Sequence, residues 1–263
     1  MKDLLRRFLF FLSPRLGITV MSARARSHSH KLIRAWGIDR LNRQLTDKLG
    51  HTVVSGPFGG MVLSRMTLNE HIGPFLLGTY ESELHSWFTA LEDRSFDLIV
   101  DIGAKFGYYA VGLARLNPKT PVVAFDTDPW ARRALSQMIT ANGVTNVTVA
   151  SFCTPKWLND NAGTSTFIFS DCEGCERELF LTADVSAFQN STMIIEVHEE
   201  IVPGITDELR ERFGPTHQID SVSSHDPTPP DIDLSFLSAD EKEQTVREIR
   251  GPQQWLLFSP RDE

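Results

Sequence analysis

From Phe96 onward the chain alternates two hydrophobic patterns. Short apolar runs, "FDLIVD" (96–101), "PVVAFD" (121–126), "NVTVASF" (146–152), "TFIFSD" (166–171) and "TMIIEVH" (192–198), read as strands. Between them, "GYYAVGLARL" (107–116), residues 129–142 and "CERELFL" (175–181) carry helical spacing. Asp128-Pro129 predicts an N-cap followed by the first helical position, and Gly143 predicts the stop. This strand–helix rhythm predicts a mostly parallel sheet with helices on both faces. Two late runs, "HQIDSVS" (217–223) and "QQWLLFS" (253–259), predict a further strand pair. A Pro-rich loop (226–233) and a helix opened by a capping box at Ser238–Glu241 separate them. Such a pair predicts an antiparallel strand at one edge.

Upstream, residues 29–49 predict one helix, with Leu32, Ile33, Trp36, Ile38, Leu41 and Leu45 on a broad apolar face and Gly50 as its stop. "HTVVSGPFGGMVLS" (51–64) predicts a β-hairpin, and "YESELHSWFTALE" (80–92) a helix feeding the first strand. The organisation expected is a helical arm over 1–50, a hairpin or lid segment over 51–79, and the main α/β domain over 80–263.

Composition adds a class and an asymmetry. The chain has 263 residues, 41% hydrophobic and 23% charged, which fits one sizeable globular domain with an extension. Residues 1–50 hold three Lys and eight Arg against three Asp, a net +8, which leaves −16 on the remainder of a chain whose total is −8. A basic arm on an acidic body disfavours nucleic acid as a partner. The arm suits an anionic membrane surface, with residues 1–27 as the peripheral contact. Within it the apolar run Phe8–Leu12 is too short to span a bilayer, and Arg6, Arg7, Pro14 and Arg15 flank it. An interfacial or buried helix is favoured over a signal peptide, although Ala23-Arg24-Ala25 resembles a cleavage site. Cys153, Cys172 and Cys175 are too few for a disulfide framework and fit a reducing, cytoplasmic setting. The Cys172–Cys175 spacing reads as incidental.

Four of the predicted strands end in, or just after, an acid: Asp101, Asp126, Asp171 and Glu196. In an open parallel sheet the ligand crevice lies beyond the carboxyl ends of the strands, so the four carboxylates are expected along one rim. "VDIGAKFGYYA" (100–110) is not a dinucleotide fingerprint, because Lys105 and Tyr108 occupy the later glycine positions. What remains is Asp101, Gly103 and Gly107. Gly103 is expected to let the backbone approach a ligand, and Gly107 to let the helix start tight against the strand. Free N–H groups there suit a carboxylate as well as a phosphate. Asp126, at the next strand end, can accept two hydrogen bonds from a ribose diol. An amino acid joined to a nucleoside matches these parts, and S-adenosylmethionine is such a molecule.

These residues resemble the FkbM-like family of class I S-adenosylmethionine-dependent methyltransferases. "VDIGAKFGYYA" resembles that family's first motif, with Lys105 where Asn is common. "VVAFDTDP" resembles its second, with Asp126 in place of the usual Glu. "SDCEGCE" (170–176) resembles its D-x-E-G-x-E motif, and "IIEVH" (194–198) its I-x-E-x-H motif. The resemblance covers about residues 55–222. It implies a Rossmann-like sheet of seven strands, S-adenosyl-L-methionine as cofactor, and methyl transfer to a hydroxyl of a saccharide or natural product. It places Asp101, Gly103 and Gly107 at the methionine side and Asp126 at the ribose, while Lys105, the departure from the motif, can reach the cofactor carboxylate or stand as a solvated loop lysine. Tyr80 and Glu81 would cover the methionine end. Asp171, Glu196 and His198 are the expected catalytic residues, with Asp171 or His198 as base and Glu196 orienting; Glu173 would contact the acceptor. Asp171, Glu196 and His198 could also ligate a hard cation such as Mg²⁺, but the resemblance requires no metal and none is assigned. Two rivals remain. One is a non-catalytic or membrane-peripheral protein of the same fold; the other is a nucleotide-sugar oxidoreductase.

Overall fold

Strand β1 (Leu98–Ile102) lies at the centre of the sheet because its side chains are buried on both faces. Ile99 points into one apolar layer, and Val100 and Ile102 into the other. The same alternation runs through β4 (Thr166–Ser170) and β5 (Ser191–Val197), where Phe167, Phe169 and Ile194 face the first layer and Ile168, Met193 and Ile195 the second. Strands covered on both sides read as continuous apolar runs, which is why the sequence exposed them. The structure, a computed structural model, describes residues 33–261 apart from 68, 69 and 164, together with residues 27 and 31.

The remaining strands are β2 (Val122–Phe125), β3 (Val147–Ala150), β6 (His217–Ser223) and β7 (Gln254–Pro260). They form a seven-stranded sheet in the order β3-β2-β1-β4-β5-β7-β6. All pairs from β3 to β5 are parallel, while β7 runs antiparallel to both β5 and β6. The architecture is the expected Rossmann-like one. The antiparallel member is β7, one strand in, with β6 outermost. The strand order reverses between β1 and β4, which sets a switch point there.

The helices are α1 (Ile38–Leu49), α2 (Gly73–Leu77), α3 (His85–Leu91), α4 (Tyr108–Leu116), α5 (Pro129–Asn142), α6 (Pro155–Asn161), α7 (Ile205–Phe213) and α8 (Ala239–Val246). Asp128 caps α5 by accepting from the Trp130 N–H, and Gly143 ends it in the left-handed region, both as read from the sequence. The Ser238–Glu241 capping box of α8 is present in full.

Three expectations fail locally. The helix expected over 29–49 is interrupted: residues 33–35 are helical, Trp36 and Gly37 turn, and α1 begins afresh at Ile38. Gly37 sits at φ 70°, which a continuous helix does not use. Trp36 is consequently half exposed, while Ile33, Ile38, Leu41 and Leu45 are buried. The 51–64 hairpin reduces to one antiparallel bridge, Thr52 with Val62. Its apolar residues Val53, Phe58, Met61 and Leu63 are spent on the core around α4 instead of a strand face. The helix over 80–92 starts as a 3₁₀ turn at Ser82, and Thr79, just ahead of it, has a buried hydroxyl with no partner among the described residues. The basic segment 1–26, with its interfacial helix and membrane contact, and Leu32 lie outside the described residues. Among the described residues no helix is long and apolar enough to cross a membrane.

Candidate active site

A cavity of about 930 Å³ opens beyond the carboxyl ends of β1 to β4, at the switch point. That volume lies within the range of about 300–1,000 Å³ usual for small-molecule sites. The strand exits supply its wall: Ile102 and Gly103 after β1, Phe125 and Asp126 after β2, Ser151 and Phe152 after β3, Asp171 after β4. Segments before the sheet supply Glu70, His71, Pro74, Phe75 and Tyr80, and the run into β7 supplies Glu248, Ile249 and Arg250. Nothing from 51–63 lines it, so the lid expected over 51–79 is confined to its second half.

The glycine loop works differently from the expectation. Gly103 has φ 88°, and a Cβ there would stand 1.7 Å from the carbonyl oxygen of Asp171. Its missing side chain admits the β4 exit; close approach of a ligand is not what requires glycine here. Gly107, at φ 91°, makes room for Leu135 of α5, not for the preceding strand, and does not line the cavity. Asp101 also corrects the reading. It follows Ile99 on the inner face of β1, is 1% exposed, and lies beneath the cavity floor without lining it. Its Oδ2 has no hydrogen-bond partner, and burial holds its carboxyl well above the usual range. Asp126 does reach the cavity. It accepts N–H groups from Lys105 (2.8 Å) and Asp128 (2.7 Å), and burial raises its carboxyl. Lys105 lines the cavity too, and its backbone N–H is what fixes Asp126.

At the β4–β5 end, Asp171, Glu196 and His198 bring one ligand-type atom each within 4.8 Å of one another. Glu196 follows Ile194 on the inner face of β5 and is 1% exposed. Burial, then the charge of Asp171, pushes its carboxyl up to about 11. His198 is buried, and burial opposes its charging. The hydrogen bond from its Nδ1 to Glu176 Oε1 (2.5 Å), with the Glu176 charge, outweighs that and raises it. Glu176, the last acid of the D-x-E-G-x-E motif, is fully buried as the partner of His198. The helix expected at 175–181 is a π-turn over Arg177–Leu181. Cys172 and Cys175, read as incidental, are joined in a disulfide on the cavity lip. The turn at Glu173-Gly174 brings their Cα atoms to 5.6 Å. Cys153 is free and lines the cavity, and burial pushes its thiol up to about 12, which disfavours the thiolate.

Tyr80 also lines the cavity, near enough to Asp171 to feel its charge, with Glu81 buried behind it. Glu81 accepts from the Tyr109 hydroxyl and from Arg250 Nη1 (2.9 Å). Arg250 also pairs with Glu83 (3.0 Å) and Glu248 (2.6 Å), and lies over the Tyr80 ring. One guanidinium therefore faces three carboxylates. Burial raises Glu81 to about 7 and Glu248 to about 8, with Arg250 pulling both back down. The only non-glycine residues with positive φ among those described are Glu81 (48°), Lys105 (47°) and Glu173 (54°). Each was read from the sequence as a site residue, and each surrounds this cavity. Left-handed backbone costs a non-glycine residue about 1–2 kcal/mol, and such strain concentrates at functional sites.

The Glu81 titration has a testable consequence. Its carboxyl is raised on folding from an ordinary 4.5 to about 7. The stability it contributes is therefore present below pH 4.5 and lost as pH rises through 7. Glu81→Gln removes this dependence. Urea midpoints at pH 5 and pH 8 should show the wild type losing more stability over that interval than the variant, by about 1–3 kcal/mol. Equal losses contradict the assignment.

Sequence reasoning missed Arg250, Glu248, Tyr109 and the role of Glu176. Arg250 and Glu248 lie between α8 and β7, where no local pattern marks them. Tyr109 sits in the apolar pattern of α4, and only tertiary packing reveals what its hydroxyl meets. Glu176 was visible in the D-x-E-G-x-E pattern but had no stated partner.

No family model matches the chain, and no curated protein matches it. Among solved structures, it resembles a putative O-methyltransferase from Klebsiella pneumoniae at 15% identity, over 90% of this chain and 97% of that one, with a TM-score of 0.46. An O-methyltransferase from Bacillus cereus in complex with SAH is similar at 14% identity, over 66% of this chain and 78% of that one, with a TM-score of 0.46. A precorrin-6y C5,15-methyltransferase from Geobacter metallireducens is similar at 13% identity, over 67% and 86% respectively, with a TM-score of 0.45. At these identities and scores the likenesses carry no argument about activity.

Proposed function

We propose that this protein is an S-adenosylmethionine-dependent methyltransferase acting on a hydroxyl group. The observation that carries the reading is the charge of the cavity. Its lining includes Glu70, Asp126, Asp171, Glu173, Glu178 and Glu248 against Lys105 and Arg250. A dinucleotide brings phosphates, which such a wall repels. S-adenosylmethionine brings a sulfonium and an ammonium, and no phosphate. The surplus acid around Arg250 fits that molecule and disfavours the nucleotide-sugar oxidoreductase.

Asp126 is the residue to hold the ribose diol, with the apolar rings of Phe125 and the exposed Phe152 beside the base. Tyr80 and Glu81, with Glu248, are placed to receive the cationic end of the amino acid. When bound, the cofactor supplies a methyl group already activated for displacement. The chain's task is then to align the acceptor and accept its proton. Alignment can supply about 7–11 kcal/mol of the barrier. Asp171 faces the cavity and His198 stands behind it, so either can take the proton; Glu196 orients the pair. Glu173, at the rim, is the acceptor-side contact. The gathering of Asp171, Glu196 and His198 at one point argues against a non-catalytic relative. The four sequence motifs support an FkbM-like enzyme with a saccharide or natural-product acceptor, and the basic charge of the N-terminal arm supports residues 1–27 as a peripheral membrane contact.

Asp126→Asn tests the cofactor end. Losing one charged acceptor from a diol contact costs about 1.5–3 kcal/mol. S-adenosylhomocysteine affinity measured by calorimetry should therefore fall roughly 10–100-fold. An unchanged affinity contradicts the placement of the ribose.

A further inference from the structure

We infer that Asp171, Glu196 and His198 form a divalent-cation site at the head of the cavity, suited to an ion such as Mn²⁺ that takes carboxylate oxygens and an imidazole together. The geometry comes first. His198 Nε2 lies 3.6 Å from Asp171 Oδ1 and 3.7 Å from Glu196 Oε2. Two atoms each about 2.2 Å from one ion stand that far apart when they subtend roughly 110° at it, an ordinary coordination angle. Glu173 Oε2 is a further 3.6 Å from the same nitrogen and comes from the exposed rim, where it can close on an ion from the solvent side.

Burial is the independent observation. Glu196 is 1% exposed, and no N–H or O–H of the described residues reaches its Oε2. Asp171 Oδ1 is likewise without a donor. A buried carboxylate oxygen that faces another carboxylate and a ring nitrogen lacks a cation, not a hydrogen bond. Two carboxylates and a neutral imidazole carry the charge that a divalent ion balances.

The outer partner completes the arrangement. Glu176, fully buried, takes the Nδ1 proton of His198 at 2.5 Å. That fixes the tautomer with a lone pair on Nε2, aimed at the two acids. Carboxylate–histidine pairs of this kind orient imidazole ligands in metal sites. One nitrogen with two or three carboxylate oxygens favours Mn²⁺ over Mg²⁺, which takes imidazole poorly. Asp171 lines the cavity, so an ion can enter from it. Such an ion would hold the acceptor hydroxyl beside Asp171. That use rests on the methyltransferase reading; the binding of the ion does not.

The test titrates the full-length protein with Mn²⁺ and follows the free-ion electron paramagnetic resonance signal. Mn²⁺ is chosen over Zn²⁺ to keep cysteine thiols out of the readout. The site predicts one saturable Mn²⁺ per chain. Glu196→Gln and, separately, Glu176→Gln should weaken it roughly 10–100-fold while S-adenosylhomocysteine affinity is retained. Wild-type protein that binds S-adenosylhomocysteine but takes up no Mn²⁺ at millimolar concentration overturns the inference and leaves the proposed function standing. Mn²⁺ bound equally well by both variants overturns it too. Protein that binds Mn²⁺ at this site but not S-adenosylhomocysteine supports the inference and removes the proposed function.

Discussion

Gly103→Ala should unfold at a much lower denaturant concentration than the wild type, with a loss of about 2–5 kcal/mol. Two effects combine. The backbone at φ 88° is one that an L side chain adopts only with strain, at about 1–2 kcal/mol. The added methyl would also stand 1.7 Å from the Asp171 carbonyl oxygen, and backbone at the centre of a sheet yields poorly. Overpacking of that kind costs about 1–3 kcal/mol. The strain has a functional reach, since the atom that must move belongs to Asp171. Any folded Gly103→Ala protein should therefore also bind S-adenosylhomocysteine more weakly. A wild-type midpoint in urea would show that the β1 and β4 exits do not meet as described.

Asp171→Asn should fold and bind S-adenosylhomocysteine about as the wild type does, yet form it from S-adenosylmethionine in a single turnover roughly 10²–10⁴-fold more slowly. Asparagine keeps the size of the side chain and loses the ability to take a proton. It also removes the charge that keeps Glu196 protonated, and Glu196 should then ionise at lower pH. A loss confined to KM would assign Asp171 to acceptor binding. Full activity would remove it from the chemistry and leave His198 as the base.

Much of this site could be read before any coordinates. Strands β1, β4 and β5 were legible because each is buried on both faces and ends at or beside an acid, so the local pattern carried position and polarity together. The rim of acids was half right. Asp126 and Asp171 reach the cavity, whereas Asp101 and Glu196 sit beneath it, because alternation along β1 and β5 turns them into the layer around Ile99 and Ile194. Alternation was in the sequence, but which layer receives which face depends on helix packing. The glycine loop was found for the wrong reason: the neighbours that exclude a side chain, Asp171 and Leu135, lie 68 and 28 residues on from Gly103 and Gly107. Arg250 stayed hidden because its three partners come from Glu81, Glu83 and Glu248, and only the return of the chain through β7 brings them together. The same holds for the cysteine pair, whose closure depends on a left-handed turn at Glu173-Gly174.

The most direct test of the central claim is a pair of titrations by calorimetry under identical conditions, one with S-adenosylhomocysteine and one with NAD⁺. An acidic cavity built for a phosphate-free, cationic nucleoside predicts one-to-one binding of the first and no measurable heat from the second. Saturable binding of NAD⁺, with none of S-adenosylhomocysteine, would contradict it.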